Sequence, residues 1–266
     1  MGKAPYFEDI SVGDEFNDVP AVTLTDGHTA IHQALFGDRS RLPLDLKLSH
    51  KVTGHSSALV SPSLVSNLAI GQSTLPSQRV MGNLFYRGLH FHRSVFVGDT
   101  LRTTTRVVAL RQNKLKEGRP ASGMVALEVH VTNQTGETVL LFWRCPMIPC
   151  EDPAADTGRN HSFDGMPETI SDMDLVSHIP EWDYDHFRDA LTGKHFADYQ
   201  PGDVFAVESR DTVTLAPELV RMTLNMAMAH TDASRSVYGK RLVYGGHTIS
   251  MAAAQISHAL PNLITI

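Results

Sequence analysis

Asn225 and His230 stand five residues apart in the segment Asn225-Met226-Ala227-Met228-Ala229-His230-Thr231-Asp232, with Arg241-Leu242-Val243-Tyr244-Gly245-Gly246-His247 close behind. Imidazole is the side chain whose ordinary pKa lies near neutrality, which makes His230 the natural proton carrier of the pair. An amide takes up no proton, so Asn225 is suited to orienting a water or the imidazole. The glycine pair opens an apolar run. At a helix start the N–H groups lack intrahelical acceptors and sit at the positive end of the dipole. Gly245 and Gly246 can therefore hold a carbonyl oxygen that gains negative charge, a contribution of roughly 3–4 kcal/mol. An acid/base group facing such a hole is what enolate chemistry on a thioester needs.

Two elements must position these groups. Pro217 at an early helical position, then Leu219, Met222 and Met226 along one face, predict a helix that delivers Asn225 and His230 at its C-terminal end. A second, apolar helix is predicted from about Gly246 to Leu260, stopped by Pro261. These elements have counterparts earlier in the chain. Residues 7–16 and 196–205 share the pattern F-x-D-x-x-x-G-D-x-F, which marks a duplicated unit. In each copy the first Phe (Phe7, Phe196) is expected to pack, the Gly-Asp pair to turn, and the following Phe to start a strand.

In the first copy, Thr25-Asp26 caps a predicted helix through about Leu35, with Gly37 at its C-terminal turn. A longer apolar segment from about Ser57 to Ile70 is helical in pattern, with Pro62 near its start. The period then changes: Val125, Leu127, Val129 and Val131 alternate, Asn133 to Gly136 turns, and Val139, Leu141 and Trp143 alternate again. That is an antiparallel meander laid after a helix. The expected organisation is a first unit over 1–150, an acidic surface linker over 151–190 and a second unit over 191–266. Nothing after Ile266 matches the stretch from Met81 to Pro149. The second unit is thus expected to be truncated at its C-terminus, or completed by another chain or a second copy.

Composition narrows the function classes. A net charge of −6 over 266 residues gives no basic footprint for nucleic acid. There is neither a run of eighteen apolar residues nor a charged-then-apolar leader, so no membrane association and a cytoplasmic location are expected. Cys145 and Cys150 are too few for a zinc or disulfide framework and read as buried thiols. His28 and His32 have helical metal-ligand spacing but no third ligand, so no metal is expected.

The chain resembles the MaoC-like (R)-hydratase superfamily, and within it the mesaconyl-CoA hydratases. The resemblance is carried by Tyr6-Phe7-Glu8-Asp9, Gly98-Asp99-Thr100-Leu101, Leu110-Arg111-Gln112-Asn113-Lys114 and Val243-Tyr244-Gly245-Gly246-His247. It implies an α+β double hotdog, an antiparallel sheet wrapped around a central helix and then duplicated. It also implies hydro-lyase chemistry on an acyl-CoA substrate, with no cofactor beyond the CoA of the substrate itself. The superfamily motif D-x-N-P-x-H places its His on His230 and its Asp on Asn225. The inner Asn and Pro fall on Ala227 and Met228, and the H-G pair on Gly245-Gly246. The mesaconyl-type branch resembles this chain in having Asn there.

On that resemblance His230 and Asn225 are the catalytic candidates, and Gly245, Gly246 and His247 the thioester-binding ones. His247 either touches the thioester or packs, and Tyr244 either lines the pocket or is simply buried. Arg241, His92 and Arg93 are candidates for meeting a distal carboxylate, with a surface position as the competing reading; His90 shares their strand. Asp38 in the first copy, with no His in register, reads as a turn residue of a degenerate partner site that shapes the acyl pocket. A homo-oligomer is a further expectation.

Overall fold

A computed structural model describes residues 3–264. The chain enters through a single 3-10 turn at Phe7–Asp9 and a short strand β1 (Val22–Thr23), then three helices: α1 (Asp26–Phe36), α2 (Arg41–Leu44) and α3 (Leu46–Thr53). Gly37 ends α1 in the left-handed region (φ 61°) and donates its N–H to the Gln33 carbonyl, as the sequence predicts. The apolar helix α4 (Pro62–Gln72) follows; Pro62 is tolerated because it occupies the first turn, where its missing N–H costs nothing.

Four long strands then run antiparallel: β2 (Gly82–Phe91), β3 (Thr100–Gln112), β4 (Ser122–Thr132) and β5 (Thr138–Pro149). The sheet order is β1-β3-β4-β5-β2. Its concave face closes on α4, with Val129, Val131, Leu140 and Phe142 meeting Leu64, Val65, Leu68 and Ala69 in the main core. The alternation of β5 differs from the sequence reading. Leu140, Phe142 and Arg144 are buried within, whereas Leu141 and Trp143 lie on the other face. That outer face is apolar too, because the stretch after β5 crosses it and presses Phe163 and Met166 against Ala109, Ala126 and Trp143.

This crossing segment is held like an extra edge: His161 N–H donates to the Leu110 carbonyl, and the Arg159 guanidinium donates to the carbonyls of Phe7 and Glu8. Two short helices, α5 (Asp172–Ser177) and α6 (Tyr184–Asp189), follow it. The second half then supplies α7 (Ala216–Met222) and α8 (Gly245–Ala259), the latter packed beside α4.

The duplicated pattern forms the same local structure twice. Asp9 and Asp198 accept from the N–H of Tyr6 and His195, Asp14 and Asp203 from Ser11 and Gln200, and Gly13 and Gly202 turn at φ 93° and 97°. Their surroundings differ. Phe7 is fully buried, whereas Phe196 is 94% exposed, contrary to expectation. Among the described residues the second half contributes no strand, so Phe196 has no sheet to pack on. Phe205 and Val213-Thr214 likewise find no ladder partner and stay irregular. On α8, Ile249 and Ile256 stand exposed, while Ala253 and Leu260 are partly covered. No helix among the described residues is long and apolar enough to cross a membrane.

Candidate active site

The helix before the site is shorter than its pattern suggested. α7 ends at Met222, and Leu224 takes a positive φ of 56°, a conformation that is costly for a leucine and throws the chain out of the helix. Met226 therefore lies beyond the helix. The exit is fixed by the first half: Met226 N–H donates to Thr74 Oγ1 and Met228 N–H to the Gln78 carbonyl, both just past α4. Asn225 Oδ1 accepts from Ala227 N–H at 2.9 Å, which orients the amide and leaves its Nδ2 buried with no partner.

His230 closes a 3-10 turn over Met228–His230. Its Nδ1 lies 2.8 Å from the Leu242 carbonyl, and Leu242 N–H donates back to the Ala229 carbonyl at 2.8 Å. Only a protonated Nδ1 can bond a carbonyl, so the neutral ring carries its lone pair on Nε2. Burial holds the His230 pKa below its ordinary value; the Leu242 carbonyl opposes this and the Arg144 guanidinium adds to it. The side chain is poised as a neutral base.

Tyr244 joins the two candidates. It is buried, its hydroxyl donates to the Asn67 carbonyl at 2.8 Å, and its ring lies 5.5 Å from that of His230. The Asn225 amide faces the same hydroxyl without reaching hydrogen-bond geometry. Directly after it the glycine pair opens α8, so the Gly245 and Gly246 N–H groups have no intrahelical acceptors. Gly246 also answers a packing demand: a Cβ there would lie 2.1 Å from Asn67 Oδ1. Asn67 in turn donates to Ser250 Oγ at 2.6 Å, locking α4 to α8.

Arg144 was not visible as a site residue in the sequence. It is 3% exposed, has no carboxylate partner, and donates to the Ile70 carbonyl, Ser73 Oγ and Ser77 Oγ at the C-terminal end of α4, leaving Nε free. Tyr86, its cross-strand neighbour on β2, points toward the start of α8, its hydroxyl 3.9 Å from where a Gly245 Cβ would sit. The one available signal for both was strand alternation, which does not say which face of β5 turns inward.

A cavity of about 540 Å³ lies between α4, β2, α8 and the stretch around α5, with Asn67, Ile70, Tyr86, His90, Arg93 and Ser250 among its walls. Tyr86 and Asn67 are on its wall; His230 and Asn225 are not. For Tyr244, Arg241 and His92 the competing readings, burial or a position off the cavity wall, describe where the structure places them. Tyr244 is interior, because its ring fills the gap between α4 and α8. Arg241 is exposed and away from the cavity, as an unpartnered guanidinium is best left in water. His92 is turned to a histidine cluster rather than the cavity. Arg93 does reach the cavity, but its charge is engaged by Glu137 at 2.8 Å.

His247 is buried edge-on against Phe36 at 5.2 Å, with both ring nitrogens unpartnered; the packing alternative fits this position. His28 bonds Thr25 at the start of α1, and His32 is buried against Phe36. Asp38 is held by Ser40, as a turn residue should be, and also touches the cavity. Burial pushes the Cys145 thiol up to about 12 and the Cys150 thiol to about 11, which leaves both inert.

Solved structures place this architecture. A conserved Mycobacterium tuberculosis protein described as having a double hotdog fold superposes with a TM-score of 0.87 at 45% identity, covering 98% of this chain and 78% of that one. A MaoC-domain protein dehydratase from Chloroflexus aurantiacus gives 0.79 at 26% identity, covering 100% and 76%. The fold is that of the MaoC-like double hotdog proteins, α+β in class. A beta-methylmalyl-CoA dehydratase from Chloroflexus aurantiacus is 30% identical over 98% of this chain and 74% of its own length. The mesaconyl-CoA hydratase family model matches residues 1–261, and the chain belongs to that family. Its reaction class is hydro-lyase.

Proposed function

We propose that the chain catalyses reversible addition of water to an α,β-unsaturated acyl-CoA thioester, with a branched dicarboxylic substrate such as mesaconyl-CoA. The observation that carries this reading is the His230 ring, pinned at Nδ1, bare at Nε2, and held beside Tyr244 at the glycine-opened start of α8. In the hydration direction, His230 Nε2 takes a proton from water as the water oxygen bonds to the β-carbon. The electron pair of the double bond moves onto the thioester carbonyl. The N–H groups of Gly245 and Gly246 hold the resulting enolate oxygen, and the α-carbon then takes the proton back from His230. Asn225 Nδ2, a buried donor without a partner, orients the water oxygen.

Membership in the family and the named dehydratase relative support the branched substrate. The cavity accommodates an acyl group, and the first unit supplies most of its wall, Asp38 and His90 included. The division into units over 1–150 and 191–266 with a linker between is part of the proposal, as is association through the exposed Ile249 and Ile256 face of α8 with a second copy or another chain. A straight-chain (R)-specific hydratase is the sibling reading; Arg93, the one candidate cation on the cavity wall, being already paired with Glu137, favours it. Enoyl-thioester absorbance separates the two. Loss of signal with mesaconyl-CoA and not crotonyl-CoA supports the branched substrate, the reverse supports the sibling, and no change with either overturns both in favour of a non-catalytic acyl-CoA-binding subunit.

A further inference from the structure

The sequence offers no set of metal ligands because the third member lies far from the first two. The fold brings them together. His90 is the penultimate residue of β2, His92 follows just past its end on the same side of the ladder, and His178 caps the C-terminus of α5. One ligand nitrogen from each lies within 4.8 Å of the other two, and the ring centroids are 4.3–4.8 Å apart. All three side chains are half-buried rather than waving in solvent.

The tautomers favour a cation. His178 Nδ1 lies 2.9 Å from the Asp174 carbonyl, so it carries the proton and leaves Nε2 bare. That Nε2 faces His92 Nδ1 at 3.0 Å. Such a backbone-carbonyl bond on the outer ring nitrogen is how metal-bound histidines are commonly oriented. In metal-free protein one N–H bridges His92 and His178; a cation replaces that bridge once His92 moves its proton to the outer nitrogen.

We infer that His90, His92 and His178 form a three-imidazole site for a divalent transition metal of the Zn²⁺ class at the mouth of the cavity. Three nitrogen donors without a carboxylate suit Zn²⁺, Co²⁺, Ni²⁺ or Cu²⁺ and not Mg²⁺ or Ca²⁺. Three protein ligands leave a fourth position open. His90 and His178 both line the cavity, together with Leu175 and Ile179 from the α5 stretch. The bound ion ties that stretch to the edge strand and fixes the width of the opening. The inference does not depend on the hydratase reading, since none of the three residues belongs to the Asn225–His230 constellation.

The test uses the full chain stripped with chelator. Co²⁺ is titrated while its visible d–d absorption is followed, and Zn²⁺ is then added in competition. The expected result is one saturable equivalent, displaced by Zn²⁺, with affinity reduced at least about ten-fold by His178→Ala and by His92→Ala. His28→Ala, remote from the cluster, leaves it unchanged. His178 sits on an exposed strap, so its removal spares the core. A second readout is amide exchange over residues 170–180, which Zn²⁺ slows in the wild type and not in His178→Ala. Absence of saturable binding, or equal affinity in wild type, His178→Ala and His92→Ala, overturns the assignment.

Discussion

At the residue scale the account turns on charge kept away from two imidazoles. Burial, with Arg144 adding to it, lowers the His230 pKa, which favours the neutral form that the proposed general base needs. The acid limb of kcat/KM against pH therefore falls below the ordinary histidine value of about 6.5. Arg144→Met removes the nearby cation while a side chain of similar length keeps the site filled, and it shifts that limb upward. Asn225 makes a different prediction: Asn225→Ala deletes the free donor and lowers kcat about 10²-fold, measured under saturating substrate.

His32 affects stability instead. Burial depresses its pKa to about 4, with Asp38 opposing. Between about 6.5 and 4 the unfolded chain binds a proton there that the native chain refuses, so its contribution is intact above 6.5 and is lost as pH falls toward 4. The full loss is about 3 kcal/mol. Urea midpoints at pH 7 and pH 4.5 converge in His32→Leu relative to wild type; an unchanged gap contradicts the assignment.

At the element scale the helices were legible where composition and spacing agree. α1 with its Gly37 end and α8 before Pro261 form as read, because caps and breakers act locally, whereas the helix expected from about Ser57 starts only at Pro62, the residues before it running extended beside Phe96. What failed depended on partners distant in sequence. The inward face of β5 is not legible in the sequence, since both faces are apolar and Phe163 and Met166, which cover the outer one, come from a stretch without periodicity. Phe196 repeats Phe7 in type and local bonding but not in burial, because packing needs a sheet that its own motif does not encode. For the same reason His230 and the glycine pair stand out in the sequence as one local cluster, while Arg144, Tyr86 and His178 are brought to their neighbours only by the fold. Gly246→Ala tests the contact between α4 and α8: its Cβ falls on Asn67 Oδ1, and overpacking there costs about 1–3 kcal/mol by denaturant melts.

At the scale of the whole molecule, one sheet wrapped on α4 supports everything the second half does. It anchors the Asn225 segment through Thr74 and Gln78, buries Tyr244 against Asn67, and walls the cavity with β2. The exposed Ile249 and Ile256 face predicts concentration-dependent association, which Ile249→Lys weakens in sedimentation. The central claim is that His230 moves the proton. Its most direct test is the hydration rate of an enoyl-CoA substrate by His230→Ala, with near-ultraviolet circular dichroism confirming the fold. The account predicts a fall of about 10²–10⁴-fold with packing retained; turnover within a few-fold of wild type contradicts it.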